Sequence, residues 1–171
     1  LTPETKMSDI DAALGENLAA VAELVAAART AAARWTVQPA PGRWSPSQVA
    51  EHVARALEQS ALVVAGAPSK FPTLPGFVRP VVRGLFFRRV LKKNGFPKAR
   101  TSKPFNPETG SASPGEARTR LEGALAAFDR ACRTRAASGT PVPSTIFGQV
   151  RVEDYARFQA IHTRHHCRQM A

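Results

Sequence analysis

The sequence is short of cysteine and has no long apolar run. Its two cysteines, Cys132 and Cys167, lie far apart and form no Cys-x-x-Cys motif, so a disulfide scaffold is not expected. No run of about 18 apolar residues occurs, which excludes a transmembrane helix, and no charged-then-apolar N-terminal pattern predicts a signal peptide. We therefore expect a protein of the reducing cytoplasm, long enough to be stabilised by its own core.

Acidic residues are missing from one long segment of the chain. Between Gln59 and Pro107 there is no aspartate or glutamate, yet ten of the 24 lysines and arginines lie there. The other 14 basic residues are nearly balanced by the 13 acidic ones, so the net charge of +11 belongs to this segment and not to the fold as a whole. The ten residues are Lys70, Arg79, Arg83, Arg88, Arg89, Lys92, Lys93, Lys98, Arg100 and Lys103.

The alternation of apolar and polar residues that is typical of β-strands is nowhere sustained, whereas apolar residues recur at helical spacing in four places. A first amphipathic helix is predicted over about residues 8–34, where alanine is abundant and proline is absent. Ser45, Pro46 and Gln48 form a capping box that opens a second helix, which should end near Gly66. The apolar stripe of the first helix is Ile10, Leu14, Leu18, Val21, Leu24 and Val25, and that of the second includes Val49, His52, Val53, Ala56, Leu57 and Val63.

A third helix opens at a second capping box, formed by Ser113 and Glu116, and a fourth starts near Val152 with two acidic residues in its first turn. The buried stripe of the third is Leu121, Leu125, Phe128 and Cys132, and that of the fourth is Tyr155, Phe158, Gln159, His162, His166 and Gln169. Four long helices in 171 residues predict an all-α fold, a four-helix bundle in which residues 1–171 form a single domain.

A long basic insertion, about residues 68–112, separates the second and third predicted helices. Its centre, PVVRGLFFRRVLKKNG, predicts a short amphipathic helix that ends at Asn94 and Gly95. The flanking pieces are rich in proline and glycine and carry aromatic residues that could anchor them.

Three interpretations of this insertion are open. In the first, it packs onto the bundle and its charges stay in water; the packing residues would be Phe77, Leu85, Phe86 and Phe87. In the second, it is a basic lid that attracts an anionic substrate. In the third, its interleaved aromatic and basic residues contact nucleic acid or an anionic membrane, and the charges involved would be Arg88, Arg89, Lys92 and Lys93.

Three of the four histidines lie in the short stretch HTRHHCRQM near the C-terminus. Residues four apart share one face of a helix, so His162 and His166 project together into the bundle, while His165 points about 100° away toward one flank. The fourth histidine, His52, lies on the buried stripe of the second helix. Three imidazoles meeting from two helices would leave a position open for water or substrate, as in a catalytic zinc-type site. The alternative is that they are hydrogen-bonded structural groups, since an HxxxH pair alone is a weak signal.

Other catalytic motifs are missing from the sequence. HTRHH lacks the glutamate of the HExxH motif of zinc proteases, and no Glu-x-x-His pair of a di-iron bundle occurs. A dyad of Cys167 and His166 is not expected, because adjacent helical residues do not face each other. No catalytic acid, base or nucleophile is therefore predicted. Gln159 and Gln169 are candidates to orient the histidines through hydrogen bonds.

Two motifs resemble a known family. Trp44-Ser45-Pro46, followed by Gln48-Val49 and Glu51-His52, and the stretch His162-x-x-His165-His166-x-Arg168-Gln169 are similar to the DinB/YfiT-like proteins, bacterial four-helix bundles. The resemblance implies a divalent metal held by His52, His162 and His166. Phe147-Gly148-Gln149 also resembles the branch of the family with a Phe-Gly turn before its last helix. That branch usually has serine or threonine at the cap, where this chain has Arg151.

The resemblance implies a metal-dependent enzyme but not its substrate, because relatives include thiol-dependent transferases and isomerases beside members without a known reaction. Three histidines suit zinc or nickel, and also iron or copper. We expect a small-molecule substrate, an anionic compound or a thiol, in a transferase or hydrolase reaction. The alternative is a non-enzymatic binding or scaffold protein whose basic insertion contacts an anionic surface or nucleic acid, of which nucleic acid is not favoured. A homodimer is left open.

Overall fold

The computed structural model describes residues 3–97 and 105–170 and is mostly helical. The helices are α1 (Pro3–Thr30), α2 (Pro46–Ala65), α3 (Arg79–Val82), α4 (Arg88–Lys93), α5 (Pro114–Ala137) and α6 (Val152–Cys167), and a π-helical segment, Arg83–Phe87, joins α3 to α4. Two short strands, β1 (Val142–Ser144) and β2 (Gly148–Val150), precede α6. None of the helices within the described ranges combines the length and the apolar character needed to cross a membrane.

The four long helices pack as two pairs around one apolar core. α1 lies mainly against α6 and α2 mainly against α5, and α1 also contacts α5. The side chains of Leu24, Leu57, Leu121 and Phe128 are fully buried between them, and each such burial contributes about 1.5–3 kcal/mol to folding. Arg120 of α5 adds hydrogen-bonded ion pairs to two glutamates of α2. The predicted helical fold is thus present in the described residues.

The buried face of α1 differs at one position from the predicted stripe. Leu18 is 64% exposed, so its predicted burial is wrong. Asn17 faces α6 in its place, and its Nδ2 donates to the carbonyl oxygens of Ala13, at 2.9 Å, and of Ala156 on α6, at 2.8 Å. These hydrogen bonds satisfy the buried Nδ2 of Asn17, while its Oδ1 has no hydrogen-bond partner among the described residues. The buried members of the predicted stripe are Ile10, Leu14, Val21 and Leu24.

A complete capping box is present before α2, as predicted, whereas only half of the box predicted before α5 is present, because the Glu116 carboxylate accepts from the Ala112 N–H and not from the Ser113 N–H. Before α2, Ser45 Oγ accepts from the Gln48 backbone N–H, and Gln48 Oε1 accepts from the Ser45 backbone N–H. Before α5, Ser113 Oγ accepts from the Glu116 N–H at 3.2 Å. α2 ends at Gly66 as predicted, because its φ of 78° is a left-handed conformation that glycine adopts without strain.

The connection between α2 and α5, predicted as the basic insertion, carries the expected short helix, which ends at Asn94 in a left-handed conformation. Phe87 is buried and Phe86 packs partly against the core, as predicted. The predicted packing of Phe77 and Leu85 is wrong, because they are 83% and 73% exposed. Leu85 precedes Phe87 by two helical positions and therefore lies on the opposite face. Three basic residues of this connection lie outside the described residues: Lys98, Arg100 and Lys103.

An antiparallel hairpin, which the sequence did not predict, leads into α6. β1 pairs with β2 so that Val142 lies opposite Val150. Each strand has only three residues, too few for an alternating pattern to be recognised. The turn between them is held by Ser144 Oγ, which accepts from the backbone N–H of Phe147 at 3.1 Å. The hairpin thereby fixes the buried Phe147 ring beside the start of α6.

Candidate metal centre

The structure brings His52, His162 and His166 together between α2 and α6. The Nε2 atom of His162 lies 3.3 Å from that of His52 and 3.1 Å from that of His166. One ring nitrogen from each of the three lies within 4.8 Å of the others. His162 and His166 are one turn apart on α6, and His52 is on the buried face of α2. The predicted cluster of histidines from two helices is therefore present.

Both ends of α6 are fixed, which holds its histidines in place. The helix begins at Val152 as predicted, and Arg151 before it supplies no side-chain cap. Arg151 instead pairs with Glu153 in the first turn of the helix. Beyond the other end, the buried Met170 accepts a hydrogen bond from the Arg34 guanidinium through its carbonyl oxygen.

Hydrogen bonds on the far side of two rings determine where their protons are. His52 Nδ1 lies 2.8 Å from the carbonyl oxygen of Phe105. A carbonyl oxygen only accepts, so Nδ1 carries the proton and the Nε2 lone pair points into the cluster. The same holds for His166, whose Nδ1 is 3.0 Å from Oε1 of Gln169. The Nε2 atom of His162 faces both lone pairs and can donate a proton to only one of them at a time.

This set of donors fits a divalent metal ion. The cluster has too few protons to pair its three converging nitrogens by hydrogen bonds, whereas a cation among them would satisfy every lone pair. Zinc–nitrogen bonds of about 2.0–2.1 Å in tetrahedral geometry place two ligand nitrogens about 3.3 Å apart. Two of the three separations, 3.3 and 3.1 Å, are close to that value. Three histidines therefore could hold a metal ion here.

All three rings are neutral at physiological pH. Burial lowers the pKa of His52, and burial together with the neighbouring histidines lowers that of His162 far below its ordinary value. Burial is also the main cause that lowers the pKa of His166 to about 3, with a smaller contribution from His52. A metal ligand must be deprotonated, so these imidazoles are ready to bind a cation without first losing a proton.

Gln169 links the cluster to His165. Its Oε1 accepts from His166, and its Nε2 donates to Nε2 of His165 at 3.4 Å. The predicted orienting role of Gln169 therefore rests on an observed contact, and His165 lies at the margin of the cluster as predicted. Gln159 is buried one turn before His162, but among the described hydrogen bonds none joins it to the three histidines.

Sequence reasoning missed two groups that hold the rings. The ring of Trp44 lies 4.7 Å from that of His52 and 5.9 Å from that of His166, centroid to centroid. Its Nε1 donates to Oδ1 of Asn106 at 2.9 Å. The second group is the carbonyl of Phe105, which leaves no signal in the sequence because every residue has one. Trp44 did have a signal, its place in the motif that ends at His52.

A cavity of about 820 Å³ opens beside the histidines. Among its described lining residues there is no aspartate or glutamate, and Arg43, an exposed residue, brings the only permanent charge. Such a cavity favours an apolar or aromatic ligand. The aromatic lining residues are Trp44, Phe71, Phe86, Phe96, Phe105, Phe147, Tyr155 and Phe158.

The carboxylate of Glu51, next to His52 in sequence, is ion-paired, and both cysteine thiols of the chain stay protonated. Burial alone would raise the pKa of Glu51, but hydrogen bonds from Arg120 and Arg55 outweigh it and lower that pKa. Burial raises the pKa of both thiols, Cys132 and Cys167, so neither is a thiolate at neutral pH.

Fold and site together define a class: a mostly helical protein in which two helices present three neutral histidines to an aromatic cavity. The profile of the DinB superfamily matches residues 13–170, so the chain belongs to that superfamily. The family resemblance found in the sequence is confirmed. No curated protein and no solved structure matched the chain.

Proposed function

We propose that this protein is a metal-dependent enzyme built as one four-helix bundle over residues 1–171, with a divalent ion held by His52, His162 and His166. One observation carries the proposal. Two of the three converging Nε2 atoms have no proton, because their rings donate from Nδ1 to Phe105 and Gln169. Two lone pairs that converge on a third imidazole nitrogen in this way are an expected arrangement for a cation and a poor one for hydrogen bonds alone.

A divalent ion bound there would supply a Lewis acid that lowers the pKa of a coordinated water or thiol. The chain itself contributes orientation and exclusion of water. Gln169 and the Phe105 carbonyl fix the rotation of two imidazoles, and the aromatic cavity shields the site from solvent. Because no carboxylate lines the described part of the cavity, no aspartate or glutamate is placed there as a base for hydrolysis, and activation of a thiol is at least as well supported as activation of water.

The substrate we propose is a small molecule with an apolar part and a thiol or anionic group. The aromatic walls would bury the apolar part, and Arg43 would attract the charge. The reaction is then a transfer to or from a thiol, or a hydrolysis, in the cytoplasm. Zinc and nickel are the first candidates for the ion, with iron next, since neutral imidazoles suit each of them.

Metal analysis of three proteins, purified without a nickel column, tests the proposal. Wild type and His165→Ala should each carry about one equivalent of metal per chain, and His52→Ala should carry less than about a tenth of that. His165→Ala is the matched control, because it removes a histidine that lies outside the cluster of three. Circular dichroism shows whether each variant is folded. Wild type and a folded His52→Ala that are equally free of metal would refute the proposal.

A further inference from the structure

One side of the helix over Arg79–Lys93 is apolar and faces water. Phe77, Val81 and Leu85 are 83%, 56% and 73% exposed. They follow one another at steps of four residues, so they form one stripe along the segment that leads into and through this helix. Other large exposed apolar side chains of the described residues, such as Leu18 and Val37, belong to other elements, and single exposures of that kind are normal.

The same side of the helix becomes basic toward its C-terminal end. Arg88, Arg89, Lys92 and Lys93 are all exposed, and in the described part of the chain none of the salt bridges involves them. No acidic residue lies between Gln59 and Pro107 to neutralise them. We call these four residues, with Phe77, Val81 and Leu85, the outer face.

The helix cannot rotate to hide this stripe. Phe87 and Val90, on its other side, are buried in the core. The ring of Phe87 stacks on Phe158 of α6 at 5.0 Å and packs against Phe147 at 4.9 Å. The inner side of the helix is therefore packed in the core, and this packing keeps the outer face exposed to solvent.

We propose that the outer face docks this protein onto an anionic lipid surface. A helix that lies in the membrane interface places apolar side chains between the headgroups and basic ones against anionic phosphates, and each basic residue near such a surface adds to the affinity. The outer face offers both. Because its inner side stays in the core, only the three apolar side chains enter the lipid, which makes the docking shallow and reversible.

Two other occupants fit the outer face less well. A second copy of this chain, joined face to face, would bring two unneutralised basic clusters together, which electrostatic repulsion disfavours. Nucleic acid would attract the basic residues through its phosphates, but it gives three exposed aliphatic and aromatic side chains at a helical spacing little to contact. A lipid surface can contact both the apolar and the basic residues of the outer face.

Vesicle co-sedimentation of the full chain tests this. Wild type should bind vesicles of phosphatidylcholine with about one third phosphatidylglycerol and should bind pure phosphatidylcholine at least about tenfold more weakly. Neutralising the four basic residues to glutamine should reduce binding to the anionic vesicles about tenfold or more. The matched control neutralises four exposed arginines elsewhere, Arg29, Arg118, Arg130 and Arg168, and should retain most of the binding.

A second pair of variants tests the apolar half. Changing Phe77, Val81 and Leu85 to serine should weaken vesicle binding about tenfold or more, whereas the same change at Leu18, Val37 and Leu62 should not. If the outer-face serine variant binds like wild type, or wild type binds no vesicles, the proposal is wrong. Binding to duplex DNA that survives the serine changes, without vesicle binding, would assign the outer face to nucleic acid instead. Metal content, measured in parallel, keeps this result separate from the proposed metal centre.

Discussion

At the scale of single residues, Gln169 orients His166, one of the three proposed metal ligands. Its Oε1 fixes the proton of His166 on Nδ1, which leaves Nε2 free to bind a metal. Gln169→Ala removes that acceptor, so the ring can rotate or change tautomer, and we expect metal affinity to fall about 10–100-fold. Isothermal titration calorimetry with Zn²⁺ measures the change.

The control for this prediction is Gln169→Glu. A carboxylate also accepts from Nδ1 of His166, so this variant should keep an affinity near that of wild type or exceed it. Its contact to His165 is lost in the same change, because a carboxylate has no N–H to donate. If Gln169→Ala binds Zn²⁺ as tightly as wild type, the orienting role of Gln169 is excluded.

Neutral buried histidines also make the metal-free protein sensitive to acid. The pKa of His166 is lowered by burial to about 3, whereas an unfolded histidine titrates near about 6.5. Below about pH 6.5 the unfolded state binds a proton that the folded state does not. The free energy of unfolding therefore falls as pH drops from about 6.5 toward about 3, by up to about 1.4 kcal/mol per pH unit for this group. His52 and His162 act in the same direction.

Urea unfolding in the presence of EDTA, repeated between pH 7.5 and pH 5, measures this effect, and the expected loss from His166 alone is about 1 kcal/mol or more. The variant His166→Gln has one titrating group fewer, and its free energy of unfolding should fall less steeply over the same range. Equal slopes for wild type and the variant would show that His166 is protonated in the folded state.

At the scale of elements, the segment over residues 105–112 connects the start of α2 to the histidines. Gln48 donates to two of its carbonyl oxygens and Trp35 Nε1 to a third. Gly110 lies so close to Ser47 that a Cβ would come within 2.1 Å of the Ser47 carbonyl oxygen. This anchoring places the Phe105 carbonyl on His52, so the loop contributes to the site through its backbone.

Gly110→Ala should therefore destabilise the protein by about 1–3 kcal/mol, since two backbones must separate to admit the methyl group. Zinc affinity should fall with it, because the Phe105 acceptor moves away from His52. The contrasting variant is Gly123→Ala in α5, where no atom lies within 4 Å of the added Cβ. Replacing a helical glycine by alanine should stabilise by up to about 1 kcal/mol. Urea denaturation measures both free energies of unfolding. If Gly110→Ala leaves this free energy unchanged, the loop can move to admit the methyl group at no cost.

At this scale, the features that could be predicted from the sequence are those determined by residues close to one another in the chain. The caps at Ser45 and Ser113, and the pairing of His162 with His166, follow from neighbours within one turn. The burial of Asn17 in place of Leu18 does not, since its partner, the Ala156 carbonyl, is 139 residues away. The outward position of Leu85 was missed for a related reason: both sides of that short helix carry apolar residues, and only tertiary packing decides which side is buried.

At the scale of the whole molecule, one helix lines the cavity with one side and faces solvent with the other. Within the segment Arg79–Lys93, Phe86 lines the cavity beside the histidines while Leu85 faces solvent on the outer face. A contact of the outer face with a lipid surface would therefore take place next to the cavity.

The histidine cluster also joins the two helix pairs of the fold. α1 packs chiefly on α6 and α2 on α5, whereas α2 and α6 contact each other over few residues. His52 comes from one pair and the other two histidines from the second, so a bound ion adds a link where packing is sparse. Free metal at about 100 times its dissociation constant should raise the free energy of unfolding by about 2.7 kcal/mol, because the ion binds the folded state alone.

Thermal unfolding with and without Zn²⁺, followed by circular dichroism, measures this link. Wild type and His165→Ala should both show the rise in midpoint, and EDTA should reverse it. His52→Ala should show none, although α6 keeps both of its histidines, because two ligands on one helix cannot tie the pairs together. A rise of the same size in His52→Ala would mean that the ion binds α6 alone and that the two helix pairs are held together by packing without it.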